Sequence, residues 1–430
     1  MDVLRNWFRT IENPKNNFIE ILYDEFSNLL DATKNNGNTQ NDCNNNQEPQ
    51  WILSGNVIIK ERRNKLESRE NSSDEFNLTL DNEEFEGCLD VDGNGRGSLK
   101  KINKINGLYE YLAEGTFVNG HLDGKIKERK SCTFLADGYY SRGMRHGPYR
   151  KFDVSKKYAE IGFYVNGYKR GWFCSEYGGG CFVIGQRVAE NILQSCHFIY
   201  PNLQRAIFGN FEICENDKSS HVRLIEGRFV KIVNVSWDAG FPIPETEITN
   251  PETLVYEQST NTIICRLLTL SDPYEEETVF VASSKEPNAG EGLFSRNHVQ
   301  AGNIVCFYNG VRYLKRRSEC GKSYKQSDYR LALDKFTDLD IPSKYHMLEN
   351  YKATLGHKVC HSFDKRKVNS KFDNFHHPRF GEIIALVSIC DINTGDEILV
   401  NYNYKNIETA PKWYRILWKS HKSKLDLAKL

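Results

Sequence analysis

Four segments in the C-terminal third of the chain carry residue types that bind ligands or take part in chemistry. In chain order they are Ala289-Gly-Glu-Gly-Leu-Phe294, Phe307-Tyr-Asn-Gly-Val311, Leu355-Gly-His-Lys-Val-Cys-His-Ser-Phe363 and Gly395-Asp-Glu-Ile-Leu-Val-Asn-Tyr402-Asn-Tyr404. Paired glycines let a backbone approach a ligand, but most such pairs are turns. A single histidine is more often structural than catalytic, and a Tyr-x-Tyr pair usually packs in a core. The order and spacing of all four segments together are much more restrictive.

In that order the segments resemble the SET domain of protein lysine methyltransferases, from about residue 274 to the C-terminus. The resemblance implies S-adenosylmethionine as the cofactor. It implies five cofactor-binding residues, with backbone groups of the first three at the methionine end and the other two at the adenosine side: Ala289, Gly290, Glu291, Cys360 and His361.

The resemblance also implies the catalytic groups. Tyr402 is the implied catalytic tyrosine, and the segment of His361 is implied to pass beneath it in a knot-like crossing. Tyr308, Tyr404 and His361 complete the predicted catalytic set. Methyl transfer is an in-line displacement from a sulfonium, so the protein mainly aligns the reacting atoms and excludes water. Phenols orient the neutral lysine amine without trapping it as an ion pair, and the sulfonium charge and poor hydration lower the pKa of the lysine.

Phe372 is the fourth residue predicted to line the lysine channel, beside Tyr308, Tyr402 and Tyr404. The monomethylating relatives carry a tyrosine at its position in the alignment that this stretch indicates. Loss of that hydroxyl, and of any water it anchors, enlarges the space around the amine. The sequence therefore predicts methylation beyond the monomethyl product. The alternative is that Phe372 packs in the core in a shifted register.

Two departures from the family pattern affect the predicted cofactor site. Cys360 stands where the family has Asn, and a thiol poorly replaces an amide that both donates and accepts. The lost contact costs about 1 to 3 kcal/mol of cofactor binding. The stretch Asp364-Lys-Arg-Lys-Val-Asn369 lacks the family's proline and is longer. The alternative function is therefore a catalytically weak or inactive scaffold that binds peptides or partners.

A helix is predicted at the C-terminus, beginning at Ala410-Pro-Lys-Trp413-Tyr. It closes the channel, because no cysteine follows Cys390 to build the zinc cluster that other SET enzymes use. Trp413 is predicted to bind the cofactor by stacking on the adenine face. Three aspartates either attract a basic peptide or form an ordinary solvated loop. They are Asp334, Asp338 and Asp340.

A repeat precedes this domain. Three copies, 23 and then 24 residues apart, share the form Gly-x-x-x-x-Gly-x-x-x-Gly and start at Gly115, Gly138 and Gly162. Alternating aromatic and polar residues before a glycine indicate a strand that enters a tight turn with φ > 0. So short a unit cannot bury its own face, so the hairpins are predicted to stack into one elongated sheet. The copies resemble MORN repeats, which serve here as a scaffold or as a surface for a partner.

The predicted fold is mostly β, of the α+β class: a stacked β-hairpin sheet of MORN-like repeats, then a knotted β SET domain with a C-terminal helix. Five regions are predicted in chain order. They are an N-terminal helical segment (1–33), an Asn-rich and largely disordered polar linker (34–80), the repeat domain (81–255), the SET domain (256–405) and the channel-closing helix (406–430).

Composition narrows the function classes. Lys plus Arg and Asp plus Glu both number 57, so no net charge draws the chain to nucleic acid or to an anionic membrane. The 12 cysteines contain no C-x-x-C pair and are read as reduced thiols, so no metal site is expected. The family resemblance indicates the nucleus, with the cytoplasm as a second location. The expected partners are lysine-bearing segments of histones or other proteins, and the expected state is a monomer.

Overall fold

The computed structural model describes residues 76–80, 83–90, 92–102, 109–130, 134–153, 158–216, 219–315, 327–404, 407–408 and 410–427. The predicted N-terminal helix (1–33) and the Asn-rich stretch up to residue 75 lie outside these residues. The described chain forms two compact units. The first unit consists of the described residues up to Gly178, together with Phe182–His197 and Val233–Glu245. The second unit consists of Gly179–Cys181, Phe198–Ile232 and the described residues from Thr246 onward.

Fourteen strands form one sheet in which neighbours in sequence are neighbours in space. This confirms the predicted sheet of successive hairpins. The strands are β1 (Phe76–Leu80), β2 (Glu83–Leu89), β3 (Gly95–Ile102), β4 (Tyr109–Val118), β5 (His121–Lys130), β6 (Phe134–Ser141), β7 (Met144–Asp153), β8 (Tyr158–Val165), β9 (Tyr168–Gly178), β10 (Cys181–Ala189), β11 (Ile192–Ile199), β12 (Arg205–Asn216), β13 (Ser219–Asp238) and β14 (Phe241–Ile248).

The first strand corrects the predicted linker. β1 lies inside the range 34–80, and all five of its residues pair with β2 in an antiparallel register. The linker prediction is therefore wrong for residues 76–80. The range predicted as linker ends with a short alternation of apolar and polar residues, Phe76-Asn-Leu-Thr-Leu80, which is typical of a strand.

The turns of the three repeat copies have the backbone that the glycine spacing predicts. Asn119-Gly120 joins β4 to β5, Arg142-Gly143 joins β6 to β7, and Asn166-Gly167 joins β8 to β9. All six residues have positive φ, from 48° to 86°. Two successive positive φ values match the twist of an antiparallel hairpin, and glycine adopts positive φ without strain.

The first glycine of each copy lies where two strands approach closely. A Cβ at Gly115 would stand 2.4 Å from Ile126 Cδ1 and 2.7 Å from the Lys125 carbonyl oxygen. A Cβ at Gly138 would stand 3.0 Å from Tyr149 Cβ. The strand register also shifts at Gly115, as at the other two copies. These glycines are therefore required by packing between neighbouring strands, and not by the turn.

In the part of the chain that the structure describes, ten further strands and two α-helices follow the long sheet. Three small sheets have the orders β15-β16-β24-β21, β17-β23-β22 and β18-β20-β19. The elements are α1 (Pro273–Thr278), β15 (Val279–Ser283), β16 (Glu291–Ser295), β17 (Ile304–Tyr308), β18 (Val311–Leu314), β19 (Leu331–Ala332), β20 (Thr337–Asp340), β21 (Cys360–His361), β22 (Ser370–His377), β23 (Gly381–Ser388), β24 (Glu397–Val400) and α2 (Lys412–Leu427). The mostly β fold with a C-terminal helix is confirmed.

The short helix α1 anchors the core of the second unit. The carboxylate of Asp272 caps α1 by accepting from the Tyr274 amide at 2.8 Å, and Pro273 stands in the first turn. The ring of Tyr274 stacks on Tyr200 with centroids 4.9 Å apart. Its hydroxyl donates to the Ile304 carbonyl, at the start of β17. A capped helix of six residues is therefore tied directly to a strand that leads into the candidate site.

No helix in the described residues is long and apolar enough to span a bilayer. The nine cysteines in that part of the chain are free thiols.

Candidate active site

A cavity of about 1110 Å³ lies within the second unit. Its lining includes every residue predicted from the sequence for the cofactor and the lysine channel. These are Ala289, Gly290, Glu291, Tyr308, Cys360, His361, Phe372, Tyr402, Tyr404 and Trp413. The fold therefore brings the four sequence segments and the C-terminal helix to one place.

The loop Ala289–Glu291 leads into β16, and its backbone faces the cavity. Gly290 has φ +76°, and no atom lies within 4 Å of the position that a Cβ would take. The Gly290 carbonyl accepts from the Ser284 amide at 2.8 Å. The Glu397 carboxylate holds the preceding residues, because it accepts from the Ser284 hydroxyl and from the Lys285 amide at 2.8 Å. A ligand can therefore approach a fixed backbone closely at Gly290.

Cys360 has a partner in that loop. β21, formed by Cys360 and His361, pairs in parallel with β24, the strand that leads to Tyr402. The Cys360 thiol donates to the Glu291 carbonyl at 3.2 Å. Burial raises the pKa of the thiol to about 11, so it remains protonated and a donor at neutral pH. Cys360, which the sequence predicts at the position of the family asparagine, thus donates to a carbonyl of the predicted cofactor loop.

His361 supports Tyr402 directly. The Tyr402 amide donates to His361 Nδ1 at 3.1 Å, so that nitrogen carries the lone pair. Burial lowers the pKa of His361 to about 4, which keeps the imidazole neutral. The two rings lie 5.3 Å apart between centroids. Because the lone pair is already used by the Tyr402 amide, the geometry favours a positioning role for His361 over the predicted catalytic one.

Four aromatic rings form a continuous wall along one side of the cavity. Centroid distances are 6.4 Å from Tyr308 to Phe372, 6.3 Å from Phe372 to Tyr402 and 6.3 Å from Tyr402 to Tyr404. Phe372 lies in β22 and reaches this wall, so its side chain belongs to the cavity and not to a separate core.

The phenols of this wall are neutral, and two of them donate to backbone carbonyls. The Tyr402 hydroxyl donates to the Val359 carbonyl at 2.7 Å, and the Tyr308 hydroxyl donates to the Tyr329 carbonyl. Burial raises the pKa of Tyr308 and Tyr402 far above the ordinary value, and raises that of Tyr404 to about 12. Each phenol that donates to a carbonyl retains oxygen lone pairs that can accept from an amine.

The C-terminal helix α2 places Trp413 beside the aromatic wall. Its indole nitrogen donates to Asp328 Oδ1 at 3.0 Å, and its ring lies 6.1 Å from Tyr402. Besides Tyr402, the rings of Phe363, at 4.3 Å, and Tyr414, at 4.9 Å, pack on His361. Trp413 thus lies on the channel side, and its predicted stacking on adenine stays a prediction.

The stretch from Asp364 to Asn369, which precedes Phe372, forms a turn and then hydrogen-bonds to β24. The Lys367 amide donates to the Asp364 carbonyl at 3.0 Å, which closes the turn. The Asn369 side chain donates to the Glu397 carbonyl at 2.8 Å and accepts from the Leu399 amide at 2.9 Å. Both partners lie in β24, so Asn369 fixes the strand that leads to Tyr402.

The cavity lining also includes residues that the sequence did not predict, among them Lys358, Asp328 and Tyr329. Lys358 is buried, and its ammonium donates to Glu291 Oε2 at 2.5 Å and to the His346 carbonyl at 2.7 Å. Asp328 and Tyr329 also line the cavity. The position of Lys358 inside the third segment was an available signal for it. Asp328 and Tyr329 belong to none of the four sequence segments, so only the tertiary structure places them in the cavity.

The three aspartates considered for peptide recognition do not line this cavity. Asp338 pairs with Lys315 at 2.6 Å, and buried Asp340 pairs with Arg330 at 3.5 Å. The Asp334 carboxylate accepts from the amides of a local turn, at 2.5 and 2.8 Å. These carboxylates are engaged within the fold, and a role in attracting a basic peptide stays a prediction.

Comparison with known proteins agrees with this geometry. A family model of the SET domain matches residues 290–403. The histone-lysine N-methyltransferase SETD7 of Halocynthia roretzi is 32% identical over 284 residues, which covers 63% of this chain and 69% of that protein. The chain belongs to the SET-domain lysine methyltransferase family. In this SET-domain chain the matched range ends before Tyr404 and Trp413, so the contacts of α2 lie beyond it.

Two solved structures match parts of the SET-domain chain. One is ctPRC2 in an autoinhibited conformation bound to S-adenosylmethionine, with 19% identity and a TM-score of 0.23, covering 34% of this chain and 17% of that chain. The other is the ATXR5 SET domain in complex with histone H3 dimethylated on R26, with 15% identity and a TM-score of 0.23, covering 29% of this chain and 57% of that chain. Each match therefore spans less than two thirds of the solved chain.

Proposed function

We propose that this chain is an S-adenosylmethionine-dependent methyltransferase that acts on lysine side chains of histones or other proteins. One observation carries the proposal: the aromatic wall of Tyr308, Phe372, Tyr402 and Tyr404 opens into the cavity that the Ala289–Glu291 loop lines. A narrow aromatic channel suits a lysine side chain, and an exposed glycine-bearing backbone suits the amino-acid end of the cofactor.

The residues present fit this cofactor. A cavity of about 1110 Å³ is large enough for a nucleoside joined to an amino acid. The backbone of Ala289, Gly290 and Glu291 and the segment of Cys360 and His361 would hold it. Carboxylates outnumber basic side chains in the lining, which suits a cation; they are Glu286, Glu291, Asp328 and Asp364, against Arg330, Lys358 and Lys367. When bound there, S-adenosylmethionine supplies an electrophilic methyl group on a positively charged sulfur.

The aromatic wall performs the rest of the task. Tyr308 and Tyr402 are protonated and donate to carbonyls, so their oxygen lone pairs are free to orient a neutral amine. The rings exclude water, which lowers the pKa of an amine inside the channel. The protein therefore needs no ionised base in contact with the lysine nitrogen. His361 acts through the Tyr402 amide, as a positioning residue.

Titration of the full chain with S-adenosylmethionine tests the proposal, together with methyl-transfer assays on histone and other basic peptides. Micromolar cofactor binding is expected. Tyr402→Phe removes the phenol and should lower the transfer rate by about 100-fold with the cofactor still bound. Tyr168→Phe, a change at an exposed tyrosine of β9, is the matched control and should leave the rate unchanged. Absence of transfer by the unmodified chain to all of these peptides would contradict the proposal.

Phe372 gives the proposed enzyme its product range. Its ring stands 6.4 Å from Tyr308 and 6.3 Å from Tyr402, where it carries no hydroxyl to hold a water against the amine. Dimethyl-lysine is therefore expected among the products. Phe372→Tyr should shift the products toward monomethyl-lysine, as measured by mass spectrometry of the peptide over time. Only monomethyl-lysine from the unmodified chain would refute this range.

An inactive scaffold is the second candidate, and the contact of Cys360 with the Glu291 carbonyl favours it. The thiol engages a backbone group of the cofactor loop and lacks the second hydrogen-bonding group of an amide. This candidate predicts no cofactor binding at millimolar concentration, with peptide or partner binding retained.

The remaining parts of the proposal rest on the family. We propose a nuclear location, with the cytoplasm second, and a monomeric chain that binds neither nucleic acid nor membranes directly. We also propose that the hairpin sheet consists of MORN repeats, and that the SET domain extends from about residue 256 to 405, followed by the channel-closing helix.

A further inference from the structure

Asp328 is a carboxylate of the cavity lining to which the proposed chemistry assigns no specific contact. It is exposed, it lines the cavity, and it lies shortly before β19. Trp413 of α2 holds it in place through the hydrogen bond from the indole nitrogen to Oδ1, at 3.0 Å. The neutral indole N–H therefore orients the Asp328 carboxylate without compensating its negative charge.

The aromatic channel lies immediately beside this carboxylate. Trp413 contacts Tyr402 at 6.1 Å between ring centroids. The residue after Asp328 is Tyr329, whose carbonyl accepts from the channel hydroxyl of Tyr308. Burial first, and the charge of Asp328 second, raise the pKa of Tyr404 to about 12. Asp328 thus stands at the mouth of the channel, among ring faces that attract cations.

The other carboxylates of the cavity already have cationic partners. Glu286 pairs with Lys367 at 2.9 Å, Glu291 pairs with Lys358 at 2.5 Å, and Asp364 pairs with Arg366 at 2.9 Å. Among the residues that the structure describes, Asp328 makes no such pair within 4 Å. Of these four groups it is the one whose charge is available to an incoming ligand.

We propose that Asp328 is a specificity-determining residue that binds the ammonium of the acceptor lysine at the channel mouth, before the side chain enters the aromatic channel. This rests on the proposed function, since it names the group that recognises the substrate of the same site. A lysine in water is a cation, with a pKa of about 10.4. The carboxylate and the rings select that cation, whereas the neutral phenols deeper in the channel favour the amine without its extra proton.

The selection is measured as binding, with fluorescently labelled peptides and anisotropy. One peptide carries a single lysine among uncharged residues, and a matched peptide carries norleucine in its place. The unmodified chain should bind the lysine peptide more tightly. Asp328→Asn should raise the Kd of the lysine peptide by roughly threefold to fivefold, as expected for a solvent-exposed charge pair. The Kd of the norleucine peptide should not change, and added salt should shrink the difference between the two chains.

Asp373→Asn is the control, because Asp373 is an exposed carboxylate that pairs with Lys371 at 2.8 Å and does not line the cavity. It should leave both Kd values unchanged. Equal weakening of both peptides by Asp328→Asn would show a structural role, and an unchanged lysine Kd would show no role; either result overturns the proposal. In methyl transfer, Asp328→Asn should raise KM with little change in kcat. A chain that transfers no methyl group would refute the proposed function, while the difference between lysine and norleucine would still decide the role of Asp328.

Discussion

Replacement of Glu275 tests how the fold holds the candidate site. This glutamate of α1 is 1% exposed. One carboxylate oxygen accepts from the Phe307 amide at 2.9 Å, and the other accepts from the Leu355 amide at 2.6 Å. Phe307 immediately precedes Tyr308 of the channel, and Leu355 precedes the turn that leads to β21. A single buried side chain therefore spaces the two segments that carry the channel and the predicted cofactor residues.

Glu275→Gln keeps one acceptor and turns an amide donor toward the other backbone N–H. The loss of one hydrogen bond, with a buried N–H left unpaired, costs about 1 to 3 kcal/mol. Urea unfolding at fixed pH measures this free energy by linear extrapolation. Glu276→Gln is the matched control, since Glu276 is the exposed neighbour in the same helix and should change the stability by less than about 0.5 kcal/mol.

The same variant should affect catalysis through geometry. Displacement of the strand before Tyr308 misaligns the channel, so kcat should fall by about tenfold. The KM for the peptide should change less, because Glu275 does not line the cavity. An unfolding free energy and a kcat equal to those of the unmodified chain would refute the reasoning, because the two amides would then not depend on this carboxylate.

Three further predictions concern acid stability, sheet packing and the cofactor site. Burial lowers the pKa of His357 to about 3. Below pH ~6.5, His357 is therefore protonated in the unfolded chain but not in the folded chain. The contribution of His357 to the unfolding free energy should therefore fall by about 1.4 kcal/mol per pH unit on acidification. In urea unfolding, the stability of His357→Gln should decline less between pH 6 and pH 4 than that of the unmodified chain. An equal decline in both chains would contradict this prediction. Gly115→Ala sets a Cβ 2.4 Å from Ile126 Cδ1 and should cost about 1 to 3 kcal/mol in thermal or urea unfolding, whereas an unchanged stability would mean that the strands separate freely. Cys360→Asn should tighten calorimetric S-adenosylmethionine binding by about tenfold, and weaker binding would show that the thiol contact is an adequate replacement.

Local patterns predicted much of the fold. The helix after Ala410 has the position that the sequence indicates. The repeat turns at Asn119-Gly120 and Asn166-Gly167 follow from the glycine spacing, because a two-residue hairpin turn needs positive φ. β1 was missed because a five-residue strand gives little periodicity of its own and forms by pairing with β2.

The candidate site divides in the same way. The ordered segments predicted which residues meet in the cavity, since a family motif fixes their types and spacing. The sequence did not predict which side chains are already paired. Asp338 and Asp340 are engaged by Lys315 and Arg330, although their spacing indicated a ligand-facing cluster or a solvated loop.

The sequence by itself therefore determined the hairpin period, the turn positions, the C-terminal helix and the motif residues of the site, because these depend on steric rules and spacings within a few residues of the chain. Only the tertiary structure decided that Glu275 spaces the two site segments, that Cys360 bonds to Glu291, and that Asp328 stands at the channel mouth. The partners in each of these contacts lie 32 to 85 residues apart. Their meeting depends on the packing of several elements at once, which no local pattern encodes.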